Sequence, residues 1–244
     1  MILGGIFAFG AVILAISAFG IFHRAPSCVD GTQNQNEDGI DCGGPCAYLC
    51  TAMLAPPSVR FALPLSPVPG RVDVIAYVDN LNATAAARRV PFTIELENKE
   101  GIRIASSSGM IDLPPKSLVP IFIPGFPTKV TPSQVFLTIA PGAVRWFSSS
   151  AKPVIPHIEV ASPILTPTPR VTATVSNVLP TPTDGMKLIA VVYDVNGTVI
   201  AASQTLIAGV PAGGSVQAIF TWPTAFSAAP GRIEVVPVSP LSTQ

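Results

Sequence analysis

The sequence predicts an all-β protein in which two tandem sandwiches follow an N-terminal apolar segment and a small cysteine-rich module. Three observations lead to this prediction: short runs rich in Val, Ile and Thr, 27 prolines between them, and a repeat after residue 58. Such residues favour strands, and proline favours turns and strand edges. The 244 residues leave room for an anchor and two domains of roughly 100 residues each. We therefore divide the chain into residues 1–24, 25–57, 58–150 and 151–244.

The charge of the chain excludes one class of partner. Fourteen Lys and Arg residues balance 14 Asp and Glu residues, and only 11% of the chain is charged. Such a chain has neither the basic face that nucleic acid requires nor an acidic tail. We therefore expect no nucleic-acid partner.

The first element is an apolar segment at residues 2–22 that contains no Asp, Glu, Lys, Arg, Asn or Gln. As a helix it would be about 31 Å long, which matches a bilayer core. We predict a single-pass transmembrane anchor in contact with membrane lipid. A cleaved signal peptide is the alternative, since residues 15–17 have the small-x-small form. However, no positive charge precedes the run, which exceeds the usual length of about 7 to 15 apolar residues.

Four cysteines follow within a short segment, and they are Cys28, Cys42, Cys46 and Cys50. After a membrane-inserted segment, an even number of clustered cysteines predicts two disulfides in an oxidising, extracytoplasmic space. This outweighs Arg24, which the positive-inside rule would place in the cytoplasm. Three disulfide pairings are open. A zinc or iron-sulfur centre is the alternative, although the usual Cys-x2-Cys pairs are missing.

Short oxygen-bearing side chains fill the segment between the first two cysteines. Residues 34–39 match the N-x-N-x-D-G opening of calcium loops, while Pro45 stands where an EF-hand needs its bidentate Glu. Turn formation is the alternative interpretation, because Asp, Asn and Gly all favour turns. The candidate Ca²⁺ ligands are Asp30, Asn34, Asn36, Asp38 and Asp41.

Residues 28–46 read C-x-D-G-x-x-N-Q-x-E-x-G-x-D-C-G-G-x-C. This phrase resembles a short module found just outside the membrane in many predicted bacterial surface proteins. The resemblance implies a surface setting and carries no activity with it.

The chain from residue 58 onward repeats at a period of about 96 residues, which suits one immunoglobulin-like unit. Gly101 aligns with Gly197, and Asn80 aligns with Asn177 after one residue of slippage. We call residues 58–150 the first copy and residues 151–244 the second copy. The fold class we predict is therefore all-β, with two tandem immunoglobulin-like β-sandwiches after a transmembrane helix and a disulfide-rich module.

Alternation of apolar residues predicts the strands and one buried face for each strand. An Asn-Gly pair at residues 196–197 predicts a hairpin in the second copy, and residues 99–101 predict a turn in the first. The alternating positions are Val72, Val74, Ala76 and Val78 in the first copy, and Val171, Ala173 and Val175 in the second. Further strands are predicted at residues 92–97, 102–104, 119–123, 135–139, 188–193, 198–202, 216–220 and 233–236.

The second copy resembles the FxLYD and CARDB-type group of bacterial immunoglobulin-like domains. The match is carried by residues 175–177, 191–200 and 210–213, while the first copy matches this group more weakly. The resemblance implies a non-catalytic adhesion, spacing or assembly module on an exported protein.

No residue set has the makeup of an active site. His23 and His157 share no cluster, and the sequence contains no Gly-x-Ser-x-Gly elbow, metalloprotease helix or phosphate-binding loop. We place Trp222 in a core and residues 146–147 in a core or at the joint between the sandwiches. Residues 82–84 and 196–198 match the acceptor motif for N-linked glycans, to which a bacterial setting gives no weight.

These observations predict a membrane-anchored, extracytoplasmic protein with a structural or protein-binding role and no catalysis. An accessory subunit of an envelope assembly, using a free sheet edge for strand addition, is the first alternative. A β-sandwich hydrolase at the cell surface is the second. The sequence leaves open the partner and the oligomeric state.

Overall fold

The computed structural model describes residue 13 and residues 26–128, 130–149, 156–161, 163–238 and 240–241. These residues divide into two compact units, one that ends at Met53 and one that begins at Leu54. The anchor predicted at residues 2–22 lies outside the described residues, apart from residue 13. Among the helices of the described residues, none has the length and apolar character needed to cross a bilayer.

The first unit is built from turns. Between residue 26 and Met53 it contains an isolated bridge that joins Gly39 to Cys42 and a single 3-10 turn at Thr51–Met53. So few backbone hydrogen bonds cannot hold a fold alone, and two disulfides crosslink the segment.

The first copy forms two antiparallel sheets. One has the strand order β1-β2-β5 and the other the order β4-β3-β6, with β7 also paired to β3. Their bounds are β1 Ser58–Val68, β2 Arg71–Asn80, β3 Ala85–Glu97, β4 Arg103–Leu113, β5 Ser117–Pro127, β6 Gln134–Ile139 and β7 Trp146–Ser148.

The second copy repeats this strand order. Its sheets are β8-β9-β12 and β11-β10-β13, so that strands β8 to β13 correspond in order to β1 to β6. Their bounds are β8 His157–Val160, β9 Arg170–Ser176, β10 Met186–Asp194, β11 Val199–Ile207, β12 Ser215–Thr221 and β13 Pro230–Val238. The all-β prediction is confirmed in the described residues.

The hairpins of the two copies use the same turn. Gly197 has φ +81° and donates its N–H to the carbonyl of Asp194, while Gly101 has φ +72° and donates to Asn98. Each glycine therefore follows a turn as the left-handed residue of a longer hairpin loop, which a Cβ would strain. The predicted hairpin at Asn196 is confirmed, with a loop one residue longer than a two-residue Asn-Gly turn.

The prediction that each strand buries one face is wrong for the two central strands β2 and β10. Every residue from Val72 to Asn80 in β2 is buried, and so is every residue from Leu188 to Tyr193 in β10. The alternate residues of β10, such as Leu188 and Ala190, pack inside the second sandwich. The intervening residues, such as Ile189, pack against the first sandwich instead.

Candidate functional site

The cysteine-rich module is crosslinked by interleaved disulfides. Cys28 is bonded to Cys46 with a Cα–Cα distance of 5.7 Å, and Cys42 is bonded to Cys50 with a Cα–Cα distance of 4.9 Å. The prediction of two disulfides is confirmed, and the pairing that the sequence left open is first with third and second with fourth.

Asp30 caps the turn that follows it. Its carboxylate accepts hydrogen bonds from the backbone N–H of Ser27 and Thr32, both at 2.9 Å, from the Thr32 hydroxyl at 2.6 Å and from Asn34 Nδ2 at 2.9 Å. The hydrogen bonds from the Thr32 and Asn34 side chains hold the pKa of the Asp30 carboxyl well below its ordinary value.

The other predicted calcium ligands are used in the same way. The Asp41 carboxylate accepts from the N–H groups of Asp30 and Gly31, both at 3.0 Å, and Asp38 accepts from the N–H of Gly44 at 2.9 Å. Asn36 is exposed and has φ +65°, so its backbone makes a left-handed turn. The structure therefore brings Asp30, Asn34 and Asp41 together and leaves Asp38 in a separate contact with Gly44.

The carboxylates of Asp30, Asp38 and Asp41 accept N–H groups, whereas Asn34 Oδ1 is shielded from solvent and has no hydrogen-bond partner among the described residues. Ca²⁺ takes six to eight oxygen ligands. Among the described residues, the one group of Cys, Asp, Glu or His that approaches a metal-binding arrangement is Cys28, Glu37 and Cys46. Two of its three members form a disulfide, which leaves one carboxylate. The geometry favours turn capping, and calcium binding stays a prediction.

Glu37 is the residue of this module that sequence reasoning missed. It is only 6% exposed, and its Oε2 lies 3.3 Å from the backbone nitrogens of both Asn34 and Asp41, which donate to it. A buried carboxylate is costly unless it is hydrogen-bonded. Glu37 lies among turn-forming Asn and Asp residues, and nothing in the sequence distinguishes it from these neighbours as the buried one.

Two glycines allow the chain to close around these carboxylates. Gly43 and Gly44 have φ +72° and +53°, and a Cβ added at Gly44 would lie 2.1 Å from the Asn36 carbonyl oxygen. A Cβ at Gly43 would lie 2.3 Å from an oxygen of Asp38. The Cys-Gly-Gly-x-Cys pattern is therefore required by backbone conformation and by space.

The second unit contains a core that joins the two sandwiches, which we call the inter-sandwich core. It consists of Ile75, Tyr77, Phe122, Ile189, Val191, Tyr193 and Ala202. The first three come from sheet β1-β2-β5 of the first copy, and the others come from sheet β11-β10-β13 of the second. The four sheets therefore stack as successive layers.

A tyrosine pair lies in this core. Tyr77 is 3% exposed. Among the described residues, no partner lies within hydrogen-bonding geometry of its hydroxyl group. Burial raises the pKa of Tyr77 far above its ordinary value, and the nearby Tyr193 raises it further. The Arg232 guanidinium lies 4.1 Å from the centre of the Tyr193 ring and is ion-paired with Glu234. Tyr77 is thus the buried member of the pair, and the Arg232 side chain covers the ring of Tyr193.

The other residues singled out in the sequence are dispersed. His157 is an exposed first residue of β8, and His23 lies outside the described residues. Trp222 is buried and donates its Nε1–H to the Ala202 carbonyl at 3.0 Å. Trp146 is 1% exposed and belongs to β7 of the first sandwich, so its prediction as a core residue is confirmed. It is not a member of the inter-sandwich core.

A shallow cleft of about 300 Å³ lies where the β1-β2 hairpin meets the segment after β5. Pro67, Pro69, Val72 and Thr131 help to line it, and Arg71 is the one charged residue in its lining. Arg71 is ion-paired with Asp73 at 2.9 Å. The lining therefore has no paired acid and base for general catalysis.

Comparison with known proteins adds little to this description. No protein-family model and no curated protein sequence matches the chain. One similar solved structure is the crystal structure of red sea bream transglutaminase, at 14% identity and a TM-score of 0.24. The match covers 77% of this chain and 31% of the transglutaminase chain. At that score the likeness supports neither a shared fold nor a shared activity.

Proposed function

We propose that this chain is a membrane-anchored, extracytoplasmic protein that acts as a rigid spacer or protein-binding unit without catalysis. Its two sandwiches would be immunoglobulin-like domains of the FxLYD and CARDB type. The observation that carries the proposal is the inter-sandwich core, because side chains from both copies share it. Two domains that are joined only by a flexible linker do not share buried side chains. A common core therefore indicates that the two sandwiches form one rigid unit.

The disulfides support the extracytoplasmic part of the proposal. Both bonds lie in one small module, and all four cysteines of the chain are used in them. Structural disulfides persist in oxidising compartments and are rare in a reducing cytosol. The apolar residues 2–22 would supply the anchor.

The strand order supports the immunoglobulin-like assignment. In each copy the first, second and fifth strands form one sheet, while the third strand pairs with the fourth and the sixth in the other. The immunoglobulin fold likewise pairs its first, second and fifth strands in one sheet and its third and sixth strands in the other, which supports the assignment. The fourth strand of each copy pairs with the third instead, and β7 pairs with β3.

Two measurements on intact cells test the proposal together. Protease added outside the cells is expected to remove the β-sandwich unit, and non-reducing mass spectrometry is expected to find both disulfides formed. Chemical crosslinking of the same cells, followed by mass spectrometry, is expected to recover a protein attached to the sandwiches. Protection from protease in intact cells, with digestion after permeabilisation, would contradict the location. Recovery of the chain alone would contradict a binding role, and labelling of one serine by a serine-hydrolase probe would contradict the absence of catalysis.

One observation favours the alternative of strand addition to a partner. Residues 104–111 of strand β4 include no charged residue and no Pro, and β3 is the one strand partner of β4 among the described residues. Edge strands without such residues are open to pairing with another chain. A photo-crosslinking side chain at Ser108 of β4 would then capture the partner more efficiently than one at Thr174 of β9. Equal capture at both positions would argue against the edge.

A further inference from the structure

We propose that Asn196 carries an N-linked glycan and that Asn82, which matches the same acceptor motif, does not. This inference departs from the expectation that a bacterial setting gives the acceptor motifs no weight. It rests on the extracytoplasmic location proposed above, since glycan transfer to asparagine takes place on exported chains. Both motifs have the form Asn-x-Thr, so the sequence gives no reason to separate them. The structure separates them by the surroundings of the two side chains.

Asn196 lies at the tip of the hairpin between β10 and β11. Its neighbour Val195 is 77% exposed, and Asn196 and Thr198 are exposed as well. The backbone N–H groups of Asn196 and Thr198 both donate to Asp194 Oδ1 at 2.8 Å, which holds the turn without using the acceptor amide. Among the described residues, no hydrogen bond engages the Asn196 side chain or the Thr198 hydroxyl, and the space around Gly197 is open.

Asn82 is held on both sides of its amide. Its Nδ2 donates to the Ala55 carbonyl at 2.9 Å and to Asn80 Oδ1 at 3.0 Å, while its Oδ1 accepts from the Ala55 N–H at 3.0 Å. A glycan replaces one of the two hydrogens on Nδ2 and needs open space beside it. Modification at Asn82 would break one of these hydrogen bonds and displace the chain at Ala55.

The reaction is a group transfer that needs one co-reactant, a glycan linked through its C1 atom to a polyprenyl phosphate or diphosphate. The C1–O bond to the phosphate breaks and a C1–Nδ2 bond to Asn196 forms. The amide loses one proton to a base of the transferase, and the lipid phosphate leaves with the bonding electron pair. Oxidation states do not change, so no oxidant or reductant takes part.

The first copy supplies a matched turn without an acceptor. Asn98 Oδ1 accepts from the N–H groups of Glu100 and Ile102 as Asp194 does from Asn196 and Thr198. Glu100 and Ile102 therefore stand where the second copy has Asn196 and Thr198. Because the turns have the same geometry, the acceptor motif can be transplanted between them.

The test uses the full chain, produced in a cell that attaches N-linked glycans to exported proteins, with glycans located by peptide mass spectrometry. We expect one glycan, on Asn196. Thr198→Ala should lose it, Thr84→Ala should keep it, and the Glu100→Asn, Ile102→Thr variant should carry a second glycan in the first copy. Thr84→Ala removes the acceptor motif at Asn82 but preserves the hydrogen bonds of its amide.

External protease, applied to the same cells, separates the two ways in which this inference can fail. A chain that the protease reaches and that carries no glycan at Asn196, or carries one at Asn82, overturns the glycan proposal and leaves the location standing. A chain that the protease cannot reach overturns both.

Discussion

Asn80 and Asn177 occupy the same place in the two copies and make the same hydrogen bonds. Each is buried at the end of the second strand of its sandwich, and each accepts a backbone N–H from the residue two positions later at 3.0 Å. Each Nδ2 also donates to a proline carbonyl in the loop before the fifth strand, at 2.7 Å for Pro114 and 3.3 Å for Pro211. One amide thus ties two loops together in each copy.

Removing one of these amides should destabilise the second unit. Asn177→Ala removes the Nδ2 hydrogen bonds to the Thr181 and Val210 carbonyls and the acceptor of the Leu179 N–H, and we expect a loss of about 2 to 3 kcal/mol in the free energy of unfolding. Urea unfolding of the purified chain measures it. The exposed Gln217→Ala is the control and should lie within about 0.5 kcal/mol of the unchanged chain. Equal values for the two variants would contradict the assigned role.

The inter-sandwich core can be tested by exchanging residues between copies. Ile189 and Val191 lie in this core, while Thr93 and Glu95 hold the same positions relative to the hairpin turn of the first copy and face outward. The double variant Ile189→Thr, Val191→Glu should therefore separate the sandwiches, because it places a charge and a hydroxyl in the contact. We expect two unfolding transitions in calorimetry and new proteolytic cleavage between residues 149 and 157.

The reverse exchange serves as the control for that experiment. Thr93→Ile changes the outer face of the first sandwich and should leave a single unfolding transition. A double variant that still unfolds in one step at an unchanged temperature would show that the sandwiches are not held by these side chains.

The buried tyrosine pair predicts alkaline instability. Because burial raises the pKa of Tyr77 in the folded state, the unfolded chain releases its proton first as the pH rises above about 10. The stabilisation is complete below that pH and is lost progressively above it. Tyr77→Phe should flatten this loss, as followed by phenolate absorbance together with circular dichroism. A phenolate signal that appears fully while the sandwiches remain folded would contradict the burial of the pair.

The disulfide pairing can be checked directly. Proteolytic peptides under non-reducing conditions should link Cys28 to Cys46 and Cys42 to Cys50. Removing the second bond by the Cys42→Ser, Cys50→Ser variant should cost the module about 2 to 3 kcal/mol. The second unit contains no cysteine, so a reducing agent should leave its unfolding temperature unchanged. Any other peptide pairing would be at odds with the structure.

Turn capping by the acidic residues predicts indifference to calcium. Because the carboxylates of Asp30 and Asp41 accept N–H groups, adding Ca²⁺ or a chelator should not change the resistance of the module to proteolysis. The informative comparison is Asp30→Asn. Protection that Ca²⁺ provides to the unchanged chain and not to this variant would restore the calcium interpretation.

Much of this architecture follows from local patterns. Alternation located β2 through its Val and Ala positions, and the Asn-Gly pair located the β10-β11 hairpin, because both depend on neighbours in the sequence. The pairing of the cysteines could not be predicted from their spacing, because four cysteines allow three different pairs of disulfides. The burial of Glu37 could not follow either, because it depends on where distant backbone N–H groups converge.

The sequence does contain a signal for the contact between the copies, but a search for alternating apolar residues does not detect it. Residues 188–193 form a continuous apolar run, which is typical of a strand covered on both faces. In β2 the same signal is masked, because Asp73 and Asp79 share a face with Tyr77. Asp73 is buried there with Arg71 and the N–H of Gly125 as partners. Because Asp73 is polar and yet buried with hydrogen-bond partners, the sequence of β2 does not show that this face is buried.

The terminal sheet of the second copy differs in polarity from the sheet that joins the two copies. The copies join through different sheets, a heterologous contact that could in principle add further molecules into an open filament. At the positions of Ile75 and Tyr77, β9 instead has Thr172 and Thr174, counted back from the paired asparagines. These hydroxyl-bearing side chains cover the terminal sheet with groups that prefer water. We expect these two threonines to disfavour polymer growth, and apolar replacements there to favour fibre formation.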